Sequence, residues 1–576
     1  MKQLLNYFPL FTWIKSYDKI TLKRDFTAGL TVGIMLIPQG MAYAMIAGLP
    51  PVYGLYAALF PQIVYAFMGT SRQLAVGPVA MDSLLVAAGL GALSLSGPEE
   101  YLMLAVFLAL FMGAIQLLMG GLKLGFLVNF LSRPVISGFT SAAAIIIGMS
   151  QLNHLLGIAV PRSNKIHELF FFLIDLGPQV HLITFLISVF GVAFLFLSKK
   201  YFPKLPAALI LVIIATALVA QFNGEALGIN LVREVPKGLP SFVFPTATPE
   251  KIYALLPLAL TLALIAFMEA ISVAKAIEEK EKKNELNPNQ ELIALGTANI
   301  VGALFQAYPT TGGFSRTAVN YDAGAKSGVS ALFSALVVGL TLLFFTSFFY
   351  FLPTAILGAI IVVAVVRLID LNYPQYLWKN NRQEFYILLF TFFITLFIGI
   401  KEGILLGVFV ALLHMVYQNT SPHIAVLGRI KDTHYFKNIS RFSKDVVTFP
   451  EVLILRFDGQ LFFGNQAYFK EKVSSLMDEQ KQPVKHLVIA AAGINSIDAS
   501  ALQMLSLLIE ELNKKDTKVY WTGLIGPLRD QFHKVGLLDQ FEGLYVFSSL
   551  EAAINAIQGN APSAIEKTIA TQRNNP

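Results

Sequence analysis

Long apolar segments recur along most of this chain, and they constrain its fold more than any other feature. About fourteen of them lie between residues 27 and 419, each long enough to cross a bilayer or to enter it halfway. Only 14% of the residues are charged, against roughly 25% in globular domains, so most of the chain is expected to lie in lipid. The segments are 27–47, 52–68, 75–93, 101–120, 127–150, 181–198, 205–221, 253–275, 290–307, 311–323, 328–350, 353–369, 384–400 and 402–419.

Basic residues indicate how these segments are oriented. Loops on one side hold roughly three times as many Lys and Arg residues as the opposite loops, and the richer side is predicted to be cytoplasmic. An even number of spans places both termini on that side. We therefore predict a multi-pass protein of the cell inner (plasma) membrane. Residues 1–26 are predicted to form a cytoplasmic N-terminal segment without an evident cleavable signal.

A weak internal repeat divides the predicted transmembrane region, residues 27–420. Its two copies are 27–221 and 253–419, and each holds about seven spans. Because seven is odd, the second copy is predicted to be inverted relative to the first. The aligned pairs include Leu30 and Leu260, Thr31 and Thr261, Gln39 and Glu269, Pro51 and Pro288, Gly77 and Gly312, and Pro134 and Pro353.

The sequence changes character after Ser421, where short apolar runs alternate with amphipathic stretches. This alternation is typical of a small α/β domain. We predict a linker at 421–440, a cytoplasmic α/β domain at 441–560, and a disordered tail at 561–576, which is polar and aperiodic.

The most unusual stretch of the transmembrane region is 308–320, where a Gly pair precedes Ser315 and Arg316. A helix that begins after the Gly pair would present free backbone N–H groups, and Arg316 would add a full charge. The inverted copy, Val76-Gly77-Pro78, also reads as a helix start. We predict that the two helix starts face each other and form an anion site. The alternative is a pair of ordinary Pro/Gly kinks.

Several side chains near these helix starts are candidates for binding or coupling. The hydroxyls of Thr310, Thr311 and Ser315 are expected to donate to an anion. Glu269, in the middle of an apolar span, is costly there and is either a proton-coupling residue or a permanent partner of Arg316. Asp82 follows Pro78 by one turn, and its role stays open between capping that helix and binding a cation.

Gln39 and Tyr43 occupy the first-copy span that corresponds to the span of Glu269. They are one helical turn apart and therefore share a face. An amide and a phenol can line an anion site without adding charge, although core packing is an equally ordinary role for Tyr43.

Five further stretches are distinctive: IPQGMAYAMIAGLPPVYGLYAALFP (37–61), GTSRQLAVGPVAMDSLL (69–85), FMEAISVAKAIEEK (267–280), NQELIALGTANIVGALFQAYPTTGGFSRTAVN (289–320) and VLGRIKDTHYFKNISRF (426–442). They resemble the SulP sulfate-permease family, and the resemblance covers nearly the whole chain. The resemblance implies fourteen spans as two inverted repeats of seven, in a uracil-permease-like core and gate, and a homodimer that carries sulfate, bicarbonate, chloride or small carboxylates. It also implies that Glu269 occupies the acidic position of proton-coupled members. By position, the anion pocket falls on Gln39, Tyr43, Val79, Ala80, Phe314, Ser315 and Arg316.

The segment LILRFDGQLFFGNQAYF (453–469) resembles the start of the family's STAS domain. STAS domains are similar to bacterial anti-sigma-factor antagonists, in which a Ser in an Asp-Ser-Ser-Gly turn is phosphorylated. Here the turn is Asp498-Ala499-Ser500-Ala501. Ser500 is the candidate phosphorylation site, but the Gly is missing, so a structural or dimerising role for the domain is favoured.

The predicted function is secondary active transport of an inorganic anion, with proton-coupled sulfate uptake by an elevator-like, alternating-access mechanism as the first expectation. The alternatives are a sodium-coupled bicarbonate or dicarboxylate transporter, an anion exchanger, and a membrane-anchored regulatory protein that signals through its STAS domain. No enzyme is predicted, since no HExxH, GxxxxGK[ST] or GxSxG motif occurs. No cofactor, metal or nucleic acid is expected; the coupling ion is H⁺, with Na⁺ as the alternative.

Overall fold

The chain divides into two compact units, Met1–Ala411 and Leu412–Pro576, and each has a hydrophobic core of its own. The tail predicted at 561–576 lies outside the described residues. The structure is a computed structural model, and it describes residues 8–13, 17–93, 95–126, 132–158, 180–202, 206–222, 224–281, 286–366, 368–536 and 544–559.

The first half of the first unit is a series of helices with one short strand between them. Its longest helix, α2, is capped by the side chain of Asp18, which accepts a hydrogen bond from Thr21 N at 2.7 Å. The elements are α1 (Leu10–Trp13), α2 (Lys19–Ile46), α3 (Val52–Ala57), α4 (Phe60–Met68), β1 (Val76–Gly77), α5 (Ala80–Gly91), α6 (Pro98–Gly121), α7 (Arg133–Ser150), α8 (Leu152–Leu156), α9 (Leu182–Tyr201) and α10 (Ala207–Gln221).

The second half repeats the sequence of a two-residue strand followed directly by a helix. This recurrence agrees with the internal repeat, in which Gly77 is aligned with Gly312. The elements are α11 (Pro249–Glu281), α12 (Pro288–Leu304), β2 (Thr311–Gly312), α13 (Phe314–Asp322), α14 (Val329–Leu340), a π-helical turn (Thr341–Phe345) and a 3₁₀ turn (Thr346–Phe351), α15 (Thr354–Val366), α16 (Asn372–Asn380), α17 (Arg382–Phe397) and α18 (Ile400–Thr420).

Length and composition qualify many of these helices as membrane spans. Within the described ranges, six helical stretches of 18 residues or more are apolar enough to cross a bilayer, and five shorter apolar helices have 10–17 residues. The total of fourteen spans stays a prediction.

Glycine allows helices α6 and α12 to pack with their backbones in contact. A Cβ at Gly113 would lie 2.7 Å from the carbonyl oxygen of Gly296, and a Cβ at Gly296 would lie 2.7 Å from that of Gly113. Small residues at helix interfaces are typical of membrane proteins, because they permit close van der Waals packing in the absence of a hydrophobic driving force. The contact fixes α12 beside α6 and thereby fixes Asn299, which lies on α12 near β2.

The second unit is built on a mixed sheet, as the alternating pattern predicts. The central strands are parallel and their inward side chains form one core with the covering helices, including Leu487, Ile489 and Trp521. The sheet order is β4-β3-β6-β7-β8-β9, with β5 paired to β3. Its elements are β3 (Ile424–Ile430), β4 (Phe436–Asn438), β5 (Val446–Val447), β6 (Val452–Phe457), α19 (Gln466–Asp478), β7 (His486–Ala490), α20 (Ala499–Lys514), β8 (Lys518–Thr522), α21 (Gly526–Lys534), β9 (Leu544–Phe547) and α22 (Leu550–Ile557).

The segment predicted to be a linker, 421–440, instead supplies two strands of this sheet. Strand β3 pairs antiparallel with β6, and its inward residues Ala425 and Leu427 are 2% and 4% exposed. A linker has no such pairing, so the assignment of 421–440 was wrong. The run IAVLGRI, in which six of the seven residues are apolar or glycine, is the signal that the sequence interpretation missed.

Candidate anion-binding site

The two predicted helix starts lie side by side. Strand β1 pairs antiparallel with β2, so that Val76 faces Gly312 and Gly77 faces Thr311. The backbone N–H of Gly313 also donates to the carbonyl of Ala75 at 3.1 Å. The juxtaposition that the internal repeat predicts is therefore confirmed, and the first turns of α5 and α13 follow directly from the paired strands.

Both helices begin without a side-chain cap. The N-cap residues, Val79 and Gly313, are extended and provide no capping hydrogen bond. In α5 the first backbone hydrogen bond runs from the N–H of Ser83 to the carbonyl of Val79. In α13 it runs from the N–H of Thr317 to the carbonyl of Gly313. The preceding N–H groups of each helix have no partner among the described residues, and such groups are available to a ligand.

Arg316 lies against this pair of helix starts and is only 2% exposed. Its Nη1 donates to the carbonyl oxygen of Pro78 at 2.8 Å, which ties α13 to the entrance of α5. Its Nε and Nη2 are buried and have no hydrogen-bond partner in the part of the chain that the structure describes. An unsatisfied buried guanidinium is costly, and an anion with several oxygens would satisfy both remaining donors.

Glycine makes the position of Arg316 possible. A Cβ at Gly313 would lie 2.7 Å from Arg316 Nη2, and a Cβ at Gly77 would lie 3.5 Å from the same atom. Gly77 in β1 and Gly313, which directly follows β2, therefore flank the guanidinium.

Glu269 is half-buried on α11, and its Oε2 is shielded and has no partner among the described residues. The carboxylate interacts electrostatically with Arg316 without making a hydrogen bond to its Nε or Nη2. Helix α11 is held beside β2 because the hydroxyl of Thr311 donates to the carbonyl of Ala266 at 2.5 Å, three residues before Glu269. The sequence left two roles open for Glu269, a proton-coupling residue or a permanent ion pair with Arg316, and both stay predictions.

Gln39 and Tyr43 lie on α2, which packs against both α5 and α13. They are 8% and 7% exposed, and Gln39 Oε1 has no hydrogen-bond partner within the described ranges. Tyr43 lies within electrostatic range of Arg316. Leu36, one turn before Gln39, comes within 3.5 Å of the Cβ position of Gly77, so this face of α2 borders β1.

The remaining predicted pocket residues flank the helix starts but differ in exposure. Val79 and Ala80 are buried at 5% and 7%, whereas Phe314 is 47% exposed and Ser315 is also exposed. All of them adjoin the paired strands, and their contact with a substrate stays a prediction.

Thr310 and Thr311 do not have the role that the sequence indicated. Both are completely buried, and their hydroxyls bind within the protein. Thr310 Oγ1 donates to Asn299 Oδ1 at 3.1 Å, and Thr311 Oγ1 donates to the carbonyl oxygen of Ala266. Neither hydroxyl proton is available to an anion, so the expectation that these two residues donate to the substrate was wrong.

Sequence reasoning missed two residues that hold the strands in place. The side chain of Asn299 pairs with the backbone of Thr310, accepting from its N–H at 2.8 Å and donating to its carbonyl at 3.0 Å. Thr317 accepts a hydrogen bond from Ala75 N at 3.0 Å. A polar residue in an apolar span was the available signal for Asn299.

Asp82 lies in the first turn of α5 and is completely buried. Neither Oδ1 nor Oδ2 has a hydrogen-bond partner among the described residues, so Asp82 does not cap the helix start.

In the second unit, Ser500 is exposed in the first turn of α20, which Asp498 caps by accepting from Ala501 N at 2.8 Å. Phosphorylation of Ser500 stays a prediction.

Comparison with known proteins identifies the family. Residues 22–391 match the sulfate permease family, and residues 443–553 match the STAS domain. The chain is 38% identical over 530 residues to sulfate transporter 4.1, chloroplastic, of Arabidopsis thaliana, covering 89% of this chain and 77% of that protein. It is 35% identical over 539 residues to high affinity sulfate transporter 1 of Stylosanthes hamata, covering 89% and 80%.

A solved structure has the same fold. The murine solute carrier 26 family member A9 anion transporter, in the inward-facing state, superposes with a TM-score of 0.90 at 25% identity, covering 97% of this chain and 95% of that one. The predicted fold class, a helical membrane transporter with a C-terminal STAS domain, is confirmed. The helix pair, its buried arginine and these matches together place the chain in the sulfate permease family, as a multi-pass membrane protein of the anion-transport type.

Proposed function

We propose that this protein takes up sulfate together with protons by an elevator-like, alternating-access mechanism. The observation that carries the proposal is the buried guanidinium of Arg316, which has two donor atoms without a partner among the described residues and lies beside two uncapped helix starts. The names of the sulfate transporters to which the chain is similar support sulfate as the substrate.

A tetrahedral dianion suits this group of donors. Arg316 offers Nε and Nη2 in a fixed plane, and the two helix N-termini each contribute roughly half a positive charge. Charge-assisted hydrogen bonds of this kind are about twice as strong as neutral ones. Gln39, Tyr43, Val79, Ala80, Phe314 and Ser315 are the proposed walls of the pocket.

Glu269 is the proposed coupling residue. When ionised, it competes with the anion for the field of Arg316, with which it interacts electrostatically. A proton on Glu269 removes this competition, so proton and sulfate favour each other's binding from the same side of the membrane. Release of the proton on the opposite side weakens sulfate binding there, which makes uptake directional.

Orientation and assembly complete the proposal. Both termini and the STAS domain face the cytoplasm across the cell inner (plasma) membrane, as the distribution of Lys and Arg residues supports. A homodimer is proposed from the family resemblance.

The test is uptake of radiolabelled sulfate into proteoliposomes with an inward proton gradient. We expect the gradient to drive accumulation, and we expect Arg316→Ala to reduce uptake about 100-fold, because two charge-assisted hydrogen bonds of roughly 1.5 kcal/mol each are lost. Arg24→Ala is the matched control, since Arg24 is exposed near the start of α2 and away from the site.

Two results would contradict different parts of the proposal, the role of Arg316 and the identity of the coupling ion. Full uptake by an Arg316→Ala protein that elutes as a monodisperse species would remove Arg316 from the binding site. Wild-type uptake that follows a sodium gradient and ignores the proton gradient would replace H⁺ by Na⁺ as the coupling ion. Competition by unlabelled bicarbonate, chloride and dicarboxylates in the same vesicles ranks the alternative substrates.

A further inference from the structure

Asp82 is a second buried acid in the site, and the role proposed for Glu269 does not account for it. Its side chain is 0% exposed, and both carboxylate oxygens lack a partner in the part of the chain that the structure describes. An ionised carboxylate without hydrogen bonds in such surroundings costs several kcal/mol, roughly, even after relaxation. A group of this kind in a membrane span is a functional candidate.

Helix α5, which carries Asp82, packs against α2, α6, α7 and α11. Helix α11 contributes Glu269, which interacts electrostatically with Asp82. The segment before β2 contributes Tyr308, whose hydroxyl lies 3.1 Å from Ser83 Oγ and which interacts electrostatically with Asp82 and with Tyr43 of α2. Arg316 is the cation of the site, and its Nη1 reaches Pro78, four residues before Asp82.

The other packed helices bring no charge to this point. On α6, Glu99 and Glu100 are in the first turn, and α6 follows α5 after a short connection, so they lie near the far end of α5. On α7, Arg133 is the first residue, and its guanidinium covers the ring of Tyr373 at 4.3 Å. Among the residues that the structure describes, the site therefore contains one cation, Arg316, and two carboxyl groups, those of Asp82 and Glu269.

The charges of these groups decide when a dianion can enter. When Asp82 and Glu269 are both ionised, their charge of −2 offsets the roughly +2 that Arg316 and the two helix starts supply together, and the site is about neutral. With both carboxyl groups protonated, the same groups present roughly +2, which equals the charge that sulfate brings with the opposite sign. Two protons per sulfate are needed to reach this balance.

We propose that Asp82 binds a second transported proton, so that Asp82 and Glu269 together carry two protons with each sulfate ion. This inference rests on the proposed function. Each proton leaves water on the side to which the site is open and forms an O–H bond with a carboxylate oxygen. On the opposite side the O–H bond breaks, the proton returns to water, and the carboxylate is regenerated. Two protons and one dianion move no net charge.

The coupling ratio is measured on the wild-type protein in proteoliposomes as the pH difference that stops net flux against a known sulfate gradient. For two protons, one pH unit balances about a 100-fold sulfate gradient. The balance point does not move when valinomycin and potassium set the membrane potential, because no net charge crosses. For one proton, the same pH difference balances only about tenfold at zero potential, and the balance point moves with voltage.

The variant Asp82→Asn tests the residue itself. We expect the gradient balanced by one pH unit to fall from about 100-fold to about tenfold, and we expect transport to become voltage-dependent. Glu99→Gln is the control that removes an exposed carboxyl group outside the site, and it is expected to keep the wild-type ratio.

Each outcome separates this inference from the proposed function. An unchanged ratio in Asp82→Asn, or a wild-type ratio of one proton, overturns the role of Asp82 and leaves proton-coupled uptake intact. The wild-type ratio decides this even when the variant does not fold. If wild-type uptake does not depend on the pH gradient, both proposals are overturned. If uptake depends on sodium in the wild type and this dependence disappears in Asp82→Asn, Asp82 binds Na⁺ instead of a proton.

Discussion

At the scale of single residues, Gly313 sets the position of the guanidinium. Its φ of −89° suits any residue, so a methyl group there acts only through space. In Gly313→Ala the new Cβ would lie 2.7 Å from Arg316 Nη2 and 2.8 Å from Cζ, so the guanidinium must move away from Pro78 O. We expect the KM for sulfate to rise about tenfold, the cost of one weakened charge-assisted hydrogen bond.

The matched control for this prediction is Gly91→Ala at the end of α5. A Cβ at Gly91 meets no atom within 4 Å, so its KM should equal that of the wild type. Equal KM values for both variants, from initial rates of sulfate uptake, would show that Arg316 adjusts without loss and that its position is not set by Gly313.

The sequence predicts these residues only where their chemistry is unusual. An Arg shortly after a Gly pair between apolar spans is rare enough to be found from the sequence alone, and its burial is confirmed. The hydroxyls of Thr310 and Thr311 were assigned wrongly because a hydroxyl binds whichever acceptor the backbone brings near. The acceptors are the side chain of Asn299 on α12 and the carbonyl of Ala266 on α11, and the sequence does not show that either lies beside these hydroxyls.

At the scale of secondary-structure elements, the pairing of β1 with β2 depends on few hydrogen bonds and is therefore sensitive to each. Thr317 Oγ1 accepts from the buried N–H of Ala75 at 3.0 Å. Thr317→Val keeps the shape of the side chain but leaves this N–H unpaired, which should cost about 1–3 kcal/mol of unfolding free energy. We expect a lower Tm and weaker sulfate uptake in the same variant, because the helix starts lose their alignment.

Thr317→Ser retains the hydroxyl and serves as the control, with a Tm close to that of the wild type. A Thr317→Val protein that keeps both the wild-type Tm and the wild-type uptake would mean that the two strands stay aligned without this bond.

The internal repeat predicts the pairing of β1 with β2, since symmetry brings corresponding segments together. It cannot predict the side-chain bonds that hold the pair, because Asn299 and Thr317 lie outside the aligned motifs.

At the scale of the whole molecule, the division into two units differs from the one that the sequence indicates. Apolar length separates membrane spans from the α/β region well, because lipid demands long uncharged helices. The boundary at 441 was placed too late, since a single short strand such as β3, which lies between β4 and β6, gives only a weak pattern. Its pairing with β6 through Ala425 and Leu427 appears only when both strands are seen together.

This difference predicts how the second unit behaves when it is expressed alone. A fragment of residues 421–559 contains every strand of the sheet, including β3, whose Leu427 belongs to the core on one face together with Ile454 and Val488. A fragment of residues 441–559 lacks β3 and β4, so β6 becomes an open edge and loses the burial of Leu427, worth about 1.5–3 kcal/mol. We expect the longer fragment to unfold cooperatively in urea at a clearly higher midpoint than the shorter one. Equal midpoints at equal slopes would mean that β3 is dispensable, in which case the boundary first predicted at 441 is the correct one.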